Sequence, residues 1–136
     1  MLPDADALLL SVVRAGAPTV TVGTQIPATL LTKIKTKPFG TVKRIGGAAV
    51  DPRYLDQATV DVQTWAISRK AAYDAAAAIR STLLDAALDQ TSFALGHIAR
   101  FVELSGPSEL RTADQAGGVW RFQASYSMFL RPAPGN

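Results

Sequence analysis

In ATVDVQTWAI, residues 58–67, Val60, Val62 and Ala66 fall on one side of an extended chain, with Thr59, Asp61 and Gln63 on the other. That alternation predicts a strand with one buried face, hence an antiparallel or mixed sheet covered on one side. Ser68 supplies an N-cap, and beyond it the period becomes helical. Ala72, Ala76, Ile79, Leu83 and Ala87 form one stripe, with Asp74, Arg80, Ser81 and Asp85 opposite. The expected helix, 69 to about 88, spans roughly 30 Å at about 1.5 Å per residue. Its alanines let it lie close against the sheet as a lid.

The clearest alternation is at the C-terminal end, in VWRFQASYSMFLR, residues 119–131. Trp120, Phe122, Ala124, Tyr126, Met128 and Leu130 share one face, with Arg121, Gln123, Ser125 and Ser127 on the other. Burying its four largest apolar side chains contributes roughly 6–12 kcal/mol before entropy, at about 1.5–3 kcal/mol each. Residues 97–104 predict its hairpin partner, joined to it by a long polar connection over 105–118.

At the other end, Asp4 caps a helix over residues 4–15. Leu8, Leu9, Val12 and Val13 recur at helical spacing, and Gly16 then Pro18 close it. A short extended piece follows at 19–23. Within residues 24–38, Pro27 and Pro38 bracket a stretch with Thr and Lys interspersed among Leu30, Ile34 and Thr36, which predicts an extended arm or twisted edge segment. Residues 39–45 predict a strand ended by Gly46-Gly47, and the following stretch a loop turning at Asp51-Pro52. The order implies an α+β fold: a single mixed or antiparallel sheet of about four or five strands with two helices packed on one face. One domain covers residues 1–136.

Composition narrows the function classes. With 136 residues, 48% hydrophobic and 18% charged, the chain can bury a core. It has no cysteine, which removes disulfide frameworks, thiolate zinc sites and thiol nucleophiles together. Asp4 and Asp6 stand where an export signal would carry basic residues. No apolar run approaches the roughly 20 residues a bilayer requires. A soluble protein with no membrane partner is expected.

Candidate chemistry is sparse. His97 is the single histidine, and no carboxylate cluster is near it in sequence. It is expected to be a strand-end histidine bonded to backbone or water, since no nucleophile-elbow pattern presents a serine to it. Asp51, Asp56 and Asp61 would be the carboxylates of a metal or general-base site, but Asp51 precedes a turn proline and Asp61 faces solvent. No catalytic residue, metal site or cofactor is expected. The polar feature with functional weight is a basic strip. Lys33, Lys35, Lys37, Lys43 and Arg44 fall between residues 33 and 44 without an acid among them, in a chain of net charge +3. The strip is either a solvated, aggregation-resistant edge or a surface for a polyanion or an acidic protein neighbour. Phe39 alone interleaves it, so stacking on single-stranded nucleic acid is not expected.

These stretches, in this order, resemble the tail terminator proteins of long-tailed bacteriophages, especially those infecting actinobacteria. The likeness runs from QIP (25–27) through KPFGTVKRIGG (37–47) and DQATVDVQTWAISRKAAYDAAAAIRSTL (56–83) to GGVWRFQASYSMFLRP (117–132). It implies an α+β subunit of a homohexameric ring that caps the tail tube, ends its polymerisation and meets the head–tail connector protein. The implied location is the head-proximal end of the virion tail, with assembly in the host cytoplasm. The implied partners are further copies of the chain, the tail tube protein and the connector, with DNA passing close by in the channel. On this view the strand–helix unit is a rigid wedge, and the connections 24–38 and 105–118 contact neighbours or line the channel. The basic strip is then expected to meet acidic surfaces on a neighbouring subunit or ring. A related tail-completion or head-closure ring protein is the nearest alternative. A small basic nucleic-acid-binding domain is a second alternative, and an enzyme a third.

Overall fold

The structure, a computed structural model, describes residues 1–110 and 118–134. Eight elements follow one another: α1 (Ala5–Gly16), β1 (Thr21–Gly23), α2 (Leu30–Lys33), β2 (Phe39–Asp51), β3 (Leu55–Ala66), α3 (Arg69–Leu88), β4 (Gly96–Glu109) and β5 (Trp120–Pro132). The strands form one mixed sheet in the order β1-β2-β3-β5-β4. β1 runs parallel to β2, and every other pairing is antiparallel. The α+β expectation holds, with α1 and α3 together on one face.

The capping residues act as their chemistry requires. Asp4 accepts the Ala7 N–H at 3.3 Å and Ser68 accepts the Ala71 N–H at 3.1 Å, each satisfying a donor left free by the first helical turn. α1 buries Leu8, Leu9, Val12 and Val13, while α3 buries Ala72, Ala76, Ile79, Leu83 and Ala87, the stripe set by its period. Beneath them lie Val42, Ala58, Val60, Val62, Ile98, Ala124, Tyr126, Met128 and Leu130. Small residues set the approach. A Cβ on Gly40 would stand 3.0 Å from Ile79 Cδ1, so α3 rests almost on the β2 backbone. A Cβ on Gly16 would collide with Thr82, so α1 meets α3 equally closely.

Two ion pairs tie the edge strand β4 to the lid helix, Arg69–Glu109 at 2.8 Å and Arg80–Glu103 at 2.7 Å. Both arginines are well exposed, which limits each pair to less than about 1 kcal/mol.

Several boundaries differ from expectation, each for a physical reason. β2 does not end at Gly46-Gly47 but continues to Asp51, and β3 begins at Leu55, so the expected loop is mostly hairpin. Gly47 has φ +95°, where a Cβ would collide with the Gln57 carbonyl, and the register shifts between Arg44 and Gly46. The glycines mark a bulge within the strand, not its end. β4 likewise runs on through residues 105–109 past two further register shifts, shortening the expected connection. Residues 111–117 of that connection lie outside the described residues.

The segment 24–38 is not wholly extended. Thr29 opens one helical turn, with Lys33 N–H donating to Thr29 O and Ile34 N–H to Leu30 O, each at 3.0 Å. Leu30 and Ile34 thereby fall on the same side. They pack on Phe39 and Trp65, which leave the sheet on the face opposite α1 and α3. α2 is thus a third helix, and it covers one end of the otherwise open face.

Candidate functional site

The basic strip is divided by the pleat of β2. Lys43 is exposed on the open face, opposite Asp61 in register. Arg44 leaves the other face. Its guanidinium grips the buried Asp56 carboxylate at 2.5 and 3.1 Å and also donates to the carbonyls of Gly46 and Gln57. Its backbone N–H donates to Asp6 Oδ1 at 2.8 Å, tying the first turn of α1 to β2. Arg44 is therefore a structural cation, its charge balanced inside the chain.

The three remaining lysines belong to α2 and the turn after it. Lys37 Nζ donates to the Pro18 carbonyl at 2.9 Å, pinning the end of the segment. Lys33 ends α2, where a cation suits the helix dipole, with Nζ 6.0 Å from the Phe39 ring centroid. Lys35 is exposed. Lys33, Lys35 and Lys43 take no ion pair among the described residues.

Lys43 borders a shallow depression of about 300 Å³ that also takes in Gln25, Asp61, Gln63, Trp65 and Arg121. Its polar groups bind one another. Asp61 accepts from Gln63 at 2.8 Å and Gln123 at 2.7 Å, while Arg121 donates to Gln63 and lies 5.3 Å over the Trp65 ring. With both Asp61 oxygens held by amides and Arg121 stacked on an indole, the network stiffens the open face. Outward alternation placed these residues on that face. Their mutual contact needed the β3–β5 register, which pairs Gln63 with Gln123 and Trp65 with Arg121.

The other candidates are dispersed. His97 is half-buried at the start of β4, opposite Arg131 in register. Asp51 takes both a side-chain and a backbone hydrogen bond from Arg53 at the β2–β3 turn, and the side-chain bond holds its carboxyl below the ordinary carboxylate value. Asp56 belongs to Arg44, and Asp61 to the open face. Among the described residues, no group of three or more His, Cys, Asp or Glu side chains is placed to hold a metal ion, and no helix is long and apolar enough to cross a membrane. What the surface offers is charge and shape: free lysines at one end, and exposed Ile45, Val50 and Tyr54 along the β2–β3 hairpin.

Comparison with known proteins gives a consistent result. A family model described as "Phage tail termination protein" matches residues 1–136. Among solved structures, a chain of the "Virion of native gene transfer agent (GTA) particle" shares the fold. Its TM-score is 0.54 at 15% sequence identity, over 93% of this chain and 87% of that one. Comparison with curated protein sequences gives no match.

Proposed function

The chain belongs to the phage tail termination protein family, and from that premise we propose that it forms a ring, six copies around, that caps the tail tube at its head-proximal end. The ring stops tube polymerisation and offers its other face to the head–tail connector. The observation that carries the proposal is the family match over the whole chain. The geometry agrees with it: a stiff sheet–helix wedge, cations left unpaired on the surface, and polar groups of the open face bound to one another. A subunit whose task is shape needs rigidity and complementary edges, since head-to-tail contacts close into a ring only at one rotation per copy.

Lys33, Lys35 and Lys43 are the cations available to a neighbouring subunit or ring, whereas Lys37 and Arg44 mainly hold the fold. In this reading DNA passes through the ring without a stacking platform for its bases, and no cofactor takes part.

Deletion of the gene from the producing genome is the test. The expected outcome is tails of uncontrolled length that fail to join heads, with both defects repaired by the gene supplied in trans. Tails of normal length that still fail to join heads would instead assign the chain to head closure, and normal particles would end the proposal.

A further inference from the structure

The C-terminal ends of α1 and α3 enclose a groove of about 300 Å³ whose apolar lining includes Val12, Ala15, Ala86 and Phe93. Asp85 and Asp89 stand at its margin, both exposed, and neither takes an ion pair among the described residues. They occupy the last turn and the C-cap of α3, a helix with no basic residue in that turn. Helix carbonyl ends are negative, so two carboxylates there raise the energy of the isolated chain. A cation brought to the groove relieves both.

The same chain carries the complementary shape. Leu31 on α2 is 63% exposed, and Lys33 and Lys35 are exposed beside it. An apolar knob beside two cations fits an apolar trough beside two carboxylates. The knob is fixed away from its own groove, because Ile34 anchors α2 on the open face while the groove lies in the helix layer behind the sheet. The two halves of the match can meet only between molecules.

We propose that α2 of one copy docks into the α1–α3 groove of a second copy, with Leu31 on the apolar lining and Lys33 and Lys35 against Asp85 and Asp89. Two different patches in contact make a heterologous interface, which repeats head to tail and closes when the rotation permits. The inference rests on the ring reading and names its contact, but the two fail separately: a chain that caps tubes through another surface refutes only the interface.

The natural absence of cysteine makes the test clean. The full chain carrying Leu31→Cys and Ala15→Cys, the latter an exposed position of the apolar lining, is oxidised both free and on isolated tails. A covalent ladder extending beyond the dimer is expected, while either single-cysteine variant stays monomeric, because a head-to-tail contact sets its thiol against no second thiol. In parallel, K33E/K35E and D85K/D89K should each lose self-association by sedimentation without a loss of unfolding temperature, D85K/D89K raising it slightly because cations now stand at the carbonyl end of α3. The combined variant K33E/K35E/D85K/D89K should regain it. No ladder in either setting, or undiminished assembly of D85K/D89K, overturns the interface. So does a cross-link from Ala15→Cys alone, through a bifunctional reagent, that runs to a different virion polypeptide.

Discussion

The side chains of Lys43 and Arg44 leave β2 on opposite faces, and their consequences differ accordingly. Asp56→Asn strips Arg44 of its counter-charge and should lower unfolding free energy by about 2 kcal/mol. That is less than a fully buried pair would lose, because Arg44 remains partly solvated. Reversing Lys33, Lys35 and Lys43 together should change stability by no more than about 0.5 kcal/mol each while impairing assembly. Denaturant titration of the two variants separates structural from surface cations. A tight run of like charges in sequence concealed this division. The alternation that placed Asp61 outward applies equally to Lys43 and Arg44, but the partner Asp56 is supplied by another strand. Tyr126 is the other residue with a measurable signature. Its buried hydroxyl has no partner among the described residues, and burial, with Glu103 adding to it, pushes its pKa up to about 12. A raised folded-state pKa means this stabilisation is complete below the ordinary tyrosine value of 10.0 and declines as pH climbs towards about 12. Tyr126→Phe should remove that alkaline decline and cost little at neutral pH. Denaturant midpoints at about pH 9 and about pH 11 would show it.

At the level of elements, regular periods were legible and exceptions were not. The bounds of α3, its cap and its buried stripe follow from the change of period at Ser68, and β5 from its unbroken alternation. What escaped were features set by contacts between distant segments. Gly46-Gly47 resembles a stop signal, yet Gly47 has φ +95° inside a strand that continues to Asp51. Gly47→Val should destabilise the hairpin by at least about 2 kcal/mol, combining backbone strain with a clash on Gln57. The α2 turn had a faint signal, the i, i+4 pair Leu30 and Ile34, overshadowed by flanking prolines and β-branched threonines. Its stability comes from Phe39 and Trp65, residues no local pattern connects to it. Ile34→Ala should cost about 2–4 kcal/mol, with hydrogen exchange accelerated first in residues 24–38. Loss spread evenly over the sheet would contradict that placement.

For the whole molecule, the tail-termination assignment came through family likeness and not through any reactive group, and in the proposed reading function lies in how copies and partners fit. In the proposed interface the free lysines and the acidic groove attract through exposed charge, so assembly should weaken as salt rises. At about 1 M salt the screening length falls to about 3 Å, and self-association should be largely lost while the monomer stays folded. Sedimentation with circular dichroism on the same samples reads both quantities. The central claim is that this chain ends tube growth. Its most direct test is polymerisation of purified tail tube protein, followed by electron microscopy, with this chain added partway. Tube lengths should freeze at the moment of addition, with a sixfold ring on one end of each tube. Tubes that lengthen at an undiminished rate, with no density at either end, would contradict it.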